Sequence, residues 1–411
     1  MNWKHVSLGE ISVNIQTGPF GSQLHQSDYS EKGTPVVMPK DLISGHISEE
    51  SIARVSDDHV ERLSRHKIKV GDILYSRRGD VGRCAFASET EAGWLCGTGC
   101  LRVTIDSRKA NPKFVFYQLL KADTIGWVEK HAVGSTMLNL NTSILSSVPI
   151  DLPSHDKQNH IVGVLSAYDD LIENNQKQIK LLEEAAQRLY KEWFVDLRFP
   201  GHETTPIVDG VPDGWTYKPF SEVFDYVRGK SYTSKELSDT TGILMANLKN
   251  IRAFGGYNRN AEKRFTGQYK ANQMLYAGDI VMGVTDMTQE RRLVGHVALV
   301  PDLGEKMTFS MDLIKIIPKL TDNLFLYSAM YYGGLSKQIS PLANGVNVLH
   351  LKPEAMMGIE MLIPTKDILE RYHQQFAPMV TRIEALQKQC DVAAEARDRL
   401  IPKLMNREIE V

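Results

Sequence analysis

Cysteine is scarce in this chain: four residues, at 84, 96, 100 and 390, in a length of 411. That is too few for a disulfide framework, so a reducing cytoplasm is the expected compartment. No run stays apolar for the roughly 20 residues a membrane span needs. The opening MNWKHVSLGEI has no apolar signal-peptide core, and no membrane partner is expected. Neither sign of charge dominates, with 48 Lys and Arg against 50 Asp and Glu. A polyanion would have to be met by positive charge gathered on one face. Catalytic signatures are missing too. There is no GxxxxGK[ST] loop, no HExxH and no GxSxG. No NPP[YF] or DPPY stretch supports amino-group methylation, since Asn111 and Pro112 are followed by Lys113. Gly97-Thr98-Gly99 lacks a third glycine and leads into CLRV, a strand-like run. Cys84, Cys96 and Cys100 have no second ligand pair at zinc-like spacing. His155 and His160 read as solvated. No metal or cofactor is expected on this chain, and recognition is expected in place of catalysis.

What is present is a repeat. WKHVSLGEI at Trp3 has a counterpart, WTYKPFSEVF, at Trp215. VGDILYS at 70–76 matches AGDIVMG at 277–283, and GSTMLNLNTSILSSVPIDLPS at 134–154 matches GVNVLHLKPEAMMGIEMLIPT at 345–365. The offset of about 210 residues is far longer than a solenoid repeat. It implies two copies of one module, each a domain followed by a helix. TPVVM, DILYS, DIVMG and VALV read as short strands between turn residues. KFVFYQLLK at 113–121 and NLFLYSAMYY at 323–332 read as helices. The expected class is α+β, with two similar mixed α/β domains.

The helical parts have heptad spacing. Apolar or small residues recur at Ile161, Val164, Tyr168, Leu171, Asn175, Ile179, Leu182, Ala186, Leu189 and Trp193. They recur again at Tyr372, Phe376, Met379, Ile383, Leu386, Cys390, Ala393, Arg397, Leu400 and Leu404. This is a coiled-coil seam, on helices of roughly 50–60 Å. Each stripe most simply buries against the other, which predicts an antiparallel coiled coil with pseudo-two-fold symmetry. Asn175 on the seam would fix register. The expected boundaries are a first domain at 1–153, a central spacer helix at 154–199, a second domain at 200–364 and a C-terminal spacer helix at 365–411.

Four features together resemble a known family: TGPFGSQLHQSDYSEKGTPVVM at 17–38, GDILYSRRGDVGRC at 71–84, the LNLN turn that ends in a proline before the helix, and the helix QNHIVGVLSAYDDLIENNQKQIKLLEEAAQRLYKEWF at 158–194. The chain resembles the specificity (S) subunit of type I restriction–modification enzymes. That resemblance implies two target recognition domains, each reading half of a split, asymmetric double-stranded DNA site. It implies helices that set the gap between the halves and dock two methyltransferase (M) subunits, which transfer methyl groups to adenine N6. It allows an ATP-driven restriction/translocase (R) subunit to join. S-adenosylmethionine, ATP and Mg are then expected on partner subunits and none on this chain. A scaffold carrying two modules that bind something other than DNA on a coiled-coil spacer is the alternative.

Candidate DNA contacts follow from residue type and loop position. In the first domain they are Arg77, Arg78 and Arg83 around Gly79 and Gly82, Gly18 and Ser22 in a loop with Phe20 and Gly21, and Lys40 after TPVVM. The aligned places in the second are Lys230 and Tyr232 near Arg228, then Asn247 and Lys249, then Thr285, Arg291 and Arg292. The TDMTQERR loop at 285–292 departs from its counterpart by lacking glycine. Tyr190, Trp193 and Phe194, large groups at the end of the central helix, are the expected partner contacts.

Overall fold

The computed structural model describes residues 3–49, 52–134 and 137–410; Ser135 and Thr136 of the repeated GSTMLNLN segment lie outside them. The chain divides into two compact units, one of Met1–Asn174 with Gln389–Val411 and the other of Asn175–Lys388. The division falls inside each of the two long helices.

In the first unit, Lys4–Ser7 pairs antiparallel with Pro149–Leu152, clipping the start of the domain to its end. Ser7 then caps the short helix Leu8–Ile11, and Glu10 reaches back to the Ser7 amide at 2.6 Å. An antiparallel sheet follows in the order Ser12–Thr17, Cys100–Ile105, Ile73–Ser76, Cys84–Phe86. A second sheet has the order Leu95–Cys96, Thr34–Val37, Ala53–Val55, Tyr29–Ser30, and its first pair is parallel. The helix Pro112–Leu119 starts where proline needs no amide partner, with Asn111 Oδ1 accepting from the amides of Lys113 and Phe114. Its buried face meets Ile73, Tyr75, Ile161 and Leu165, with Ile401, Leu404 and Met405 from the chain's other end.

The second unit repeats this strand order. Thr216–Pro219 pairs with Glu360–Ile363, and Phe224–Arg228, Leu313–Pro318, Ile280–Gly283 and Val297–Leu299 form the matching sheet. The other sheet gains one edge strand, Met274–Leu275. The VGDILYS and AGDIVMG motifs prove to be scaffold. Gly71 and Gly278 both turn with positive φ, at 85° and 83°. The following Asp72 and Asp279 each accept the amide three residues back, at 2.8 Å in both cases. Each also pairs with a base from the neighbouring strand, Arg102 at 3.6 Å and Lys315 at 2.7 Å.

The long helices are His155–Tyr190 and Lys366–Met405; the first continues as a π turn over Lys191–Val195. Within the first unit, Arg397 Nη1 donates to Asp169 Oδ1 at 2.8 Å, and Cys390 Sγ lies 3.8 Å from the Ile172 carbonyl. Within the second, Arg382 Nη2 donates to Gln178 Oε1 at 3.2 Å. Asn175 is buried. The residues expected to face inward are buried or half-buried along the C-terminal helix, but the pattern slips on the central one. Leu171 is exposed, and Leu165, Asp169 and Ile172 take the inner positions. Local periodicity favours leucine over aspartate; the inward turn of Asp169 depends on Arg397, far along the chain. Among the described residues, no helix is long and apolar enough to cross a membrane.

Candidate nucleic-acid interface

In the first unit, three loops converge beyond the sheet. The Gly18 amide donates to the Cys100 carbonyl at 2.9 Å, and the Arg77 amide to the Gly99 carbonyl at 2.8 Å. Thr98 Oγ1 donates to the Pro19 carbonyl at 2.9 Å. The segment after the last loop helix closes the group, with the Leu140 amide bonded to Arg77 O and the Gly79 amide to Leu138 O. Gly18 sits so close to Gly97 that a Cβ would meet its carbonyl oxygen at 2.0 Å, which explains the glycine. Arg77 places its guanidinium 5.7 Å from the exposed Phe20 ring. Ser22, Lys40 and Arg78 are exposed.

The second unit builds its cluster the same way from other residues. Gly229 abuts the Ser310 carbonyl, the Lys230 amide donates to Phe309 O at 2.8 Å, and Met311 N donates back to Lys230 O. Tyr232 is held by Lys263, whose Nζ donates to its hydroxyl at 2.6 Å. Thr285–Asp286 pairs with Leu349–His350, and Gln289 Nε2 donates to Val346 O at 2.8 Å. Asp286 organises this loop. It is buried, and its carboxylate accepts from the amides of Thr288, Leu293 and Val294 and from the Thr288 hydroxyl. Burial pushes its pKa up, but these donors outweigh burial and hold it below the ordinary carboxylate range.

The structure therefore brings together Gly18, Arg77 and Arg78 in one unit, and Lys230 and Thr285 in the other. Several expected contacts take other tasks. The Gly18 amide is already bonded within the protein, so it has no donor for phosphate. Asn247 is buried and caps a turn, donating to Ala261 O at 2.7 Å and accepting from Lys249 N; Lys249 itself is exposed. Thr285 is buried, with its hydroxyl on Asp312 at 3.1 Å. Arg83 is ion-paired with Asp80 at 2.6 Å and lines a separate cavity of about 440 Å³ beside Arg397 and Ile401. Arg292 pairs with Glu290, and its carbonyl accepts from Phe254. Arg291 turns through φ 53°. Tyr190, Trp193 and Phe194 correct the expectation of partner contacts. The first two are buried, and all three pack their rings on Tyr372 in the core of the second unit. Their size serves that core. Sequence reasoning missed Asp286, although an aspartate two residues before a threonine is an Asx-turn signal. It also missed the exposed apolar side chains beside the loops, Met137 in one unit and Met287, Met311 and Val346 in the other. Burial pushes the Cys84 and Cys96 thiols up to about 12, which keeps them protonated and poor nucleophiles.

Residues 1–184 match the family model "Type I restriction modification DNA specificity domain". The chain is 27% identical over 403 residues to the MjaIX specificity subunit of Methanocaldococcus jannaschii, an alignment covering 92% of this chain and 87% of that one. It is 22% identical to the HindI specificity subunit of Haemophilus influenzae, over 99% of this chain and 100% of that protein. Residues 1–184 thus carry that specificity domain, and the chain as a whole is similar to type I specificity subunits. The fold agrees: the crystal structure of an S subunit from M. genitalium matches with a TM-score of 0.56 at 14% identity, covering 98% of this chain and 96% of that one. Each of the two sequence relatives is named as the specificity subunit of a type I restriction enzyme. In this chain the repeated motifs are scaffold, and the two units differ in the loops the scaffold presents.

Proposed function

We propose that this specificity subunit reads a bipartite, asymmetric DNA sequence, one half with each loop cluster. The observation that carries this is the same strand order built twice with different residues at its loop ends. Phe20, Arg77 and Arg78 stand in one cluster; Lys230, Tyr232, Arg291 and Arg292 stand in or beside the other. Arg77 lies beside the exposed Phe20 ring and Arg78 is exposed, which suits these guanidinium groups to base edges or phosphates. Lys40, Lys249 and Ser22 would add phosphate contacts. The recognition domains span 1–153 and 200–364, and the segments 154–199 and 365–411 act as spacers. The contacts of Asp169 with Arg397 and of Gln178 with Arg382 run in opposite chain directions. They support an antiparallel, pseudo-two-fold helical pair that sets the gap between half-sites and docks two adenine-N6 methyltransferase subunits. S-adenosylmethionine would be bound by those subunits, and ATP and Mg by an R subunit where one joins.

Methylome sequencing of a strain expressing the complex tests this. A split motif with unlike halves is expected. Inserting one heptad in each spacer segment should lengthen the gap and leave both halves unchanged; an unaltered gap rejects the spacer role. Binding of the complex to that site should weaken steeply with salt, and salt-independent binding would count against the proposed contacts.

A further inference from the structure

In the unit of residues 175–388, the loop cluster carries two apolar side chains that its hydrogen bonds leave unexplained. Val346, 86% exposed, lies in a tight hairpin loop. That loop is closed by Asn344 and His350, each amide donating to the other's carbonyl at 3.0 and 2.8 Å. Inside it, a Cβ on Gly345 would meet the Val348 carbonyl oxygen at 1.9 Å, so the turn is set by a close approach that only glycine permits. Met287, 77% exposed, lies on the adjoining loop. The two loops are tied together by the pairing of Thr285–Asp286 with Leu349–His350, and by Gln289 Nε2, which donates to the Val346 carbonyl at 2.8 Å.

Nothing in the fold requires these two side chains. Asp286, Gln289 and the strand pairing hold the loops, and none of those bonds uses the side chain of Met287 or Val346. A lone exposed apolar residue carries no message. Two of them on loops bonded to each other, in the stretch that also carries Arg291 and Arg292, mark a contact surface. The partner must offer phosphate to the cations and something apolar to the methionine and valine. The major groove of DNA offers both, because thymine presents a 5-methyl group on its edge. The other apolar mode, a wedge between base pairs, is performed by longer or bulkier side chains; Val346 is too short to enter a base step but long enough to touch a methyl group.

We infer that Met287 and Val346 enclose the 5-methyl group of one thymine in the half-site this unit reads, so that part of its selectivity is apolar. This rests on the bipartite reading given above and adds one specificity-determining contact to it. The flexible thioether of Met287 adapts to the methyl group, while Val346 on its fixed turn supplies the rigid wall. Cytosine and uracil lack the methyl group, and either would leave the two side chains facing water.

The test uses the full-length subunit in complex with its methyltransferase subunits, and a duplex bearing the motif found by methylome sequencing. Thymines of both half-sites, on either strand, are replaced one at a time by deoxyuridine, which removes the methyl group and nothing else. With the unaltered subunit, at least one replacement should weaken binding about fourfold, the worth of one buried methyl group. Met287→Ser and Val346→Ser should each abolish the difference between thymine and uracil at one and the same position, and leave every other position as it was. Met287→Leu should keep that difference. The melting temperature of each variant should match the parent, since both side chains are exposed. A complex that binds no split site defeats the bipartite reading itself. If the split site is bound but thymine and uracil are distinguished nowhere, or the serine variants distinguish them as the parent does, the methyl contact alone is overturned.

Discussion

At the scale of single residues, buried polar groups decide what the loops can do. His66 is buried, accepts from Arg65 Nε at 2.9 Å, and lies near Gln16. Burial, then the positive charges of Arg65 and Arg102, lower its pKa to about 4. An unfolded histidine titrates near about 6.5. Between those values the unfolded chain takes up a proton that the folded one refuses. The stability His66 confers is therefore complete above about pH 6.5 and drains away as pH falls toward about 4. Calorimetric melting at pH 7 and pH 5 should show this loss for the first unit, and His66→Gln should flatten it. Asp286 makes the opposite kind of point. Asp286→Ala strands three amides and a hydroxyl, and should cost about 1–3 kcal/mol. It should also blur one half of the recognised sequence. Intact selectivity in a methylome assay would show that the loop does not need its clamp.

At the scale of elements, the helices show what a sequence reveals and what it hides. The buried stripe of the C-terminal helix was legible from Tyr372 to Leu404 because heptad spacing there coincides with burial. On the central helix the same rule failed around Leu171, since Asp169 turns inward to meet Arg397 and the Tyr117 hydroxyl. A local pattern carries no information about a partner so far along the chain. The loops followed the same division. Strands and glycine turns were readable, but the convergence of residues 18, 77, 98 and 138 was not, since hydrogen bonds between distant loops leave no periodic trace. The Asp169–Arg397 pair yields a sharp expectation. Arg397→Ala should destabilise the first unit by about 1–3 kcal/mol, because it leaves the buried Asp169 carboxylate with only the Tyr117 hydroxyl and Lys113, 3.7 Å away. Combining Asp169→Val with Arg397→Ala, the residues found at the matching places in the other copy, should recover most of that loss in denaturant titrations. No recovery would mean that Tyr117 and Lys113 carry more of the network than the ion pair does.

At the scale of the whole molecule, a repeated scaffold with unlike loops predicts modular specificity. Replacing residues 200–364 with the corresponding segment of another specificity subunit should exchange one half of the methylated motif and leave the other half untouched. Sequencing the methylome of the hybrid strain checks this, and a change in both halves would contradict independent reading. The two modules are not equal in one respect. The second is drawn from a single unbroken stretch, whereas the first takes in Ile401, Leu404 and Met405 from the last part of the chain. A ribosome therefore makes everything the second module needs before it has made the closing piece of the first. The first module, though its strands are made before those of the second, cannot complete its core until residues 401–405 have followed.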